Sequence, residues 1–143
     1  MDIEKTKKSL KASSILLIAI AICDVLGVAL SLIGEDVRNV AAESGVSADI
    51  LRVFTIIFFA YTAIVFIVEM YLGIAGLMQL NGKKGYIHIT VATIVFVLVT
   101  IVFVISIISG IMTGFDWGGL AVDIAMLSVL FQYRKSAKEL KEN

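Results

Sequence analysis

Apolar residues come in four long runs, at 12–34, 53–80, 86–114 and 117–133, and polar residues collect between the runs and at the two ends. The runs hold 23, 28, 29 and 17 residues. Wound as helices at about 1.5 Å per residue, they reach about 34, 42, 43 and 25 Å. A hydrocarbon core is roughly 30 Å thick. The first three cross it easily. The fourth sits at the lower limit and borrows Asp116 or the glycine-rich 114–119 region to start. The pattern predicts four spanning helices at about 12–34, 49–80, 86–113 and 117–135, with an outer loop at 35–48.

The connections are short. Asn81 and Gly82, followed by Lys83-Lys84-Gly85, supply turn chemistry between the second and third runs, so these two should be antiparallel neighbours. The turn from Thr113 to the fourth run is tight and rich in glycine. Only 35–50 has room for structure of its own. There Val37, Val40 and Ala41 hint at a short amphipathic turn, broken at Ser44 and Gly45, and Asp49 suits the positive end of the second helix. No internal repeat or low-complexity tract is visible. The expected architecture is all-α: one membrane domain over 1–143, an up-down-up-down bundle of four transmembrane helices.

Composition decides the solvent. Hydrophobic residues make up 59% of the 143, charged residues only 17%, and proline is absent. A single soluble domain of this length has a limited interior and could not hide so much apolar surface. Lipid is the solvent that accepts it. Disorder fails on hydrophobicity, and a disulfide scaffold fails on the single cysteine, Cys23. The formal net charge is zero, which gives no electrostatic case for nucleic acid.

Orientation follows from the cations. Lys5, Lys7, Lys8 and Lys11 precede the first helix, Lys83 and Lys84 fill the second turn, and Arg134, Lys135, Lys138 and Lys141 follow the last run. Only Arg38 and Arg52 fall on the opposite side. Both termini are therefore expected in the cytoplasm, in a multi-pass plasma-membrane protein. The first helix has the basic start of a secretory signal but too long an apolar run and no small-residue cleavage site. Ile22 is too bulky for lipidation at Cys23, so the helix should be retained.

Soluble-type catalytic motifs are missing: no H-E-x-x-H, no C-x-x-C, no phosphate loop and no G-x-S-x-G. An enzyme is not expected, nor is a cofactor or a metal. Cys23 has no resolving partner. His88 has no His or Cys at ligand spacing and reads as an interfacial or helix-packing residue. Tyr86, Tyr133 and Trp117 mark span ends and read as interfacial anchors.

The informative residues are three carboxylates inside the runs. Asp24, Glu69 and Asp123 lie about 10–12 residues from the cytoplasmic ends of their helices, roughly 15–18 Å deep and near the midplane. Each stands on a small or polar face. Ala21, Gly27 and Ser31 flank Asp24; Thr55, Thr62, Glu69 and Gly76 recur every seven residues, with Gly73 beside Glu69; Asp116, Gly119 and Met126 align with Asp123. The third helix offers Thr90, Thr93 and Thr100. Gly27, Gly73 and Gly76 would allow close helix packing, and Thr62, Thr93 and Thr100 would supply interhelical hydrogen bonds.

An ionised, unpaired acid at a helix centre costs roughly 2.5–3.5 kcal/mol. No Lys or Arg lies inside the four runs to pair with any of the three. They must keep protons, bond to one another or to Thr and Tyr, or hold an external cation or water. Two functions follow. One is a proton- or cation-binding site formed by Asp24, Glu69 and Asp123, used by a small transporter or sensor subunit. The other is an accessory protein in which protonated carboxyls act as polar glue and small-residue faces assemble with a second copy or another membrane protein. Intramembrane acids default to function, which favours the first. Absence of proline and of a carbonyl filter signature weighs against broken-helix transporters and channels. The expected partners are the lipid bilayer and such a membrane-embedded protein, with no nucleic acid.

The segment Glu69-Met70-Tyr71-Leu72-Gly73-Ile74-Ala75-Gly76-Leu77, a short basic turn, and a last helix running into Tyr133-Arg134-Lys135-Ser136 resemble small four-span membrane proteins of Gram-positive bacteria. The resemblance implies topology and a bacterial plasma membrane, and it implies no activity. In architecture alone the chain is also similar to the small multidrug-resistance transporters, which have four helices and an acid in the first. The other two acids and the long outer loop do not fit that pattern.

Overall fold

Four helices form among the described residues of this computed structural model, which are 2–33, 45 and 47–143. They are α1 (Ile3–Ile33), α2 (Ala48–Leu80), α3 (Ile87–Thr113) and α4 (Trp117–Glu142). The expected outer loop at 35–48, with its amphipathic turn, lies outside the described residues except for Gly45, Ser47 and the first residue of α2.

Local chemistry places the helix ends. Asp2 Oδ1 accepts from the backbone N–H of Glu4 and Lys5 at 3.1 and 3.2 Å, taking up donors that α1 leaves open at its start. At the end of α2, Gly82 adopts φ 81°, and the N–H groups of Gly82 and Lys83 reach back to Gln79 and Met78 carbonyls at 3.1 and 3.2 Å. That paired bonding needs a left-handed residue, which glycine adopts at little cost. Asp116 caps α4 by accepting from Gly119 N–H at 3.2 Å.

Two boundaries differ from expectation. α1 begins nine residues before 12, and α4 continues seven beyond 135. The polar ends that the apolar runs left out are helical because they pack on each other. Thr6 Oγ1 meets Glu139 Oε2 at 3.2 Å, Ser136 Oγ meets Ser9 Oγ at 2.8 Å, and Gln132 Nε2 donates to Ser9 Oγ at 2.9 Å.

The chain divides into two compact units, Met1–Leu17 with Tyr71–Asn143, and Ile18–Met70. In the first, α3 packs on α4. Phe96 meets Phe131 at 6.4 Å between ring centroids, and Arg134 lies 5.3 Å from the Phe96 ring centre. Gln79 Nε2 donates to the Ala137 carbonyl at 2.9 Å, and Lys141 lies 5.2 Å from the Tyr86 ring centre. The start of α1, the end of α2, the start of α3 and the end of α4 thus meet at one end of this unit. Leu10, Leu17, Leu72, Leu130 and Tyr133 are fully buried in it. The second unit holds the later part of α1 and the earlier part of α2.

Among the described residues, three helices hold stretches long and apolar enough to cross a membrane, of 28, 32 and 27 residues ending at Leu30, Leu80 and Thr113. α4 is apolar only as far as Tyr133, beyond which it is charged. Large apolar side chains stand outward, with Phe54 66% and Ile111 72% exposed. Such surface is stable against lipid and not against water.

Candidate functional site

Asp24 and Glu69 belong to the second unit, one on each of its helices. Their carboxyl groups are close enough to interact with each other. Two carboxyls can share a hydrogen bond only when one of them holds a proton, since an ionised carboxylate accepts and never donates. Glu69 is 3% exposed, and its Oε2 is buried with no donor among the described residues. Asp24 is exposed at the surface of the chain. The structure therefore brings together two of the three acids singled out in the sequence. Asp123 belongs to the first unit and is half-buried on α4.

The threonines expected to support this site turn their hydroxyls back into their own helices. Thr62 donates to Phe58 O at 2.9 Å, Thr93 to Ile89 O at 2.8 Å and Thr100 to Phe96 O at 2.7 Å. Each bond is made four residues back, the local alternative open to a mid-helix Ser or Thr. Thr62 also lines an open groove of about 400 Å³ within the second unit, walled by Val25, Val28, Phe59, Ala63 and Phe66.

The packing glycines differ from one another. Gly73 and Gly76 are buried, whereas Gly27 is exposed. A methyl group added at Gly76 would run into Ser14 Oγ and would stand 2.6 Å from Tyr133 Cε2. At Gly27 an added methyl would meet nothing within 4 Å.

Sequence reasoning missed a buried polar cluster in the first unit, centred on Tyr133. This side chain was expected at the interface as an anchor. It is instead fully buried, because Gly76 leaves room for its ring on α2. Its hydroxyl donates to Leu72 O at 2.6 Å and lies 2.9 Å from His88 Nδ1, with the two rings edge to face. A phenol has one hydrogen. With that hydrogen on Leu72 O, His88 Nδ1–H donates to the phenol oxygen, and Nε2 remains an acceptor. His88 Nε2 and Ser14 Oγ are buried with no hydrogen-bond partner among the described residues. His88 is thus a packing histidine, while Trp117 and Tyr86 keep partly or fully exposed positions. The available signal was Gly76, whose missing side chain leaves room for the ring.

Among the described residues, no group of three or more His, Cys, Asp or Glu is gathered at metal-binding spacing. No known protein family matches the chain, and neither characterised proteins nor solved structures give a match.

Proposed function

We propose that this chain is a non-enzymatic integral protein of a bacterial plasma membrane, with four spanning helices in up-down-up-down order and both termini in the cytoplasm. Its intramembrane carboxyls bind a proton or a cation in a small transporter or sensor subunit. The observation that carries the functional part is the Asp24–Glu69 pair, with Glu69 Oε2 buried and unpartnered. Two carboxyls are few ligands for a calcium ion, which takes six to eight oxygens, so the pair by itself fits a shared proton better. Asp123 is assigned to the same function from its depth along α4.

The topology draws support from the first unit, where four helix ends meet. Those ends carry Lys5, Lys7, Lys8, Lys11, Lys83, Lys84, Arg134, Lys135, Lys138 and Lys141, the cations that a cytoplasmic face retains. In a Cys23→Ser background, a cysteine at position 47 should react with an impermeant maleimide on intact cells. Cysteines at 5 and 138 should react only after permeabilisation. The reverse pattern would overturn the orientation.

The carboxyl site is tested by charge removal with shape retained. Asp24→Asn and Glu69→Gln should each abolish a pH-dependent shift in thermal stability that the wild type shows in detergent. If wild type and variants share one pH profile, the carboxyls are not a proton site. That result would favour the second reading, assembly with another membrane protein, for which the apolar groove between 25–29 and 59–66 is the supporting observation.

A further inference from the structure

The cations at the meeting point of the four helix ends are not evenly used. Lys7 from α1 and Lys83 and Lys84 from the turn after α2 line one recess of about 250 Å³, together with Tyr86, Leu80 and Leu140. Among the described residues no carboxylate lines it, and the ion pairs of the chain, Lys8 with Glu4 and Lys138 with Glu142, involve none of its lysines. A second recess at the same end, about 220 Å³, is lined by Lys5 and Lys135 but also by Asp2 and Glu139. Its charge is balanced within the protein. The first recess is lined by three lysines and, among the described residues, by no carboxylate to balance them.

We propose that this first recess binds the phosphate headgroup of an anionic phospholipid from the cytoplasmic leaflet. Three lysines from two segments line it, and a lysine ammonium is a suitable point-charge partner for phosphate. The volume is below the roughly 300–1,000 Å³ of sites that enclose a drug-sized ligand, and it suits one headgroup whose tails remain outside. Two features select lipid over a free phosphate. Leu80 and Leu140 provide apolar contact in the same recess, and the recess lies where two candidate spans stop and start, at Leu80 and Ile87. That is the depth at which a headgroup lies. The inference rests on the membrane reading above and is independent of the carboxyl site.

The test is native mass spectrometry of the full-length protein in neutral detergent, titrated separately with phosphatidylglycerol, phosphatidylcholine and glycerol 3-phosphate. Phosphatidylglycerol should be retained at least tenfold more tightly than phosphatidylcholine, and glycerol 3-phosphate should not be retained. At about fivefold per cation near an anionic headgroup, Lys83→Gln/Lys84→Gln should weaken phosphatidylglycerol roughly 25-fold, and adding Lys7→Gln should weaken it roughly 100-fold. Lys5→Gln/Lys135→Gln removes the same charge from the balanced recess and should change affinity less than twofold. Lys83→Arg/Lys84→Arg should bind like wild type, which separates lost charge from lost fold. Equal weakening by the two glutamine pairs, or no preference for the anionic lipid, would overturn the proposal. So would retention of glycerol 3-phosphate as tight as that of the lipid, which would make this a site for a soluble phosphate. Asp24→Asn and Glu69→Gln should bind phosphatidylglycerol like wild type, so failure of the lipid site and failure of the carboxyl site are read independently.

Discussion

Replacing Gly76 by leucine should leave little folded protein in detergent, with a stability loss of about 3 kcal/mol or more. Overpacking a well-filled core costs typically about 1–3 kcal/mol and more when neighbours cannot yield. Here the first added carbon already collides with Ser14 Oγ and comes within 2.6 Å of the Tyr133 ring. Neither neighbour can easily withdraw. The Tyr133 ring is held by hydrogen bonds to Leu72 O and His88 Nδ1, and Ser14 is fully buried. Gly76→Ala should be milder but still destabilising. Ile57→Leu keeps the volume at a position 59% exposed and should be silent. Unfolding of all three in one detergent, followed by circular dichroism and by the monodisperse fraction on gel filtration, checks the order. If Gly76→Leu melts like wild type, the close approach of α2 to Tyr133 does not exist in solution.

Tyr133→Ala should be nearly as damaging, at about 3–5 kcal/mol, because it removes a fully buried aromatic ring and leaves a cavity between helices. Tyr133→Phe isolates the hydroxyl. It leaves the ring in place and strands His88 Nδ1–H, so a cost of about 1–3 kcal/mol is expected from the unsatisfied donor. His88→Ala in the Tyr133→Phe background should then add less than His88→Ala alone, because the bond that joins them is already gone. Additive losses in this double-mutant cycle would mean that the two side chains do not interact. A Tyr133→Phe protein as stable as wild type would return Tyr133 to the interfacial anchor position that its place before Arg134 and Lys135 first indicated.

The sequence by itself determined the long apolar helices of the described residues and most of their ends. Runs of 23 to 29 nearly uncharged residues need lipid whatever they pack against. The helix ends are local chemistry: Asn81 and Gly82 stop α2, and Asp116 starts α4 with its own side chain. The extent of α1 and α4 was less legible, because polar residues 3–11 and 136–142 become helical by packing on each other through Thr6, Ser9, Ser136 and Glu139. Only the tertiary structure decided which face of each helix turns inward. In a soluble bundle, water separates inside from outside by polarity. Here both lipid and interior accept Ile, Leu, Val and Phe, so the pattern of apolar residues carries little information about faces. Tyr133 could therefore look like an anchor and be the centre of the core. Thr62, Thr93 and Thr100 could look like interhelical donors and bond to their own helices. The proximity of Asp24 to Glu69 depends on the approach of two helices about 45 residues apart in the chain, which no local spacing encodes.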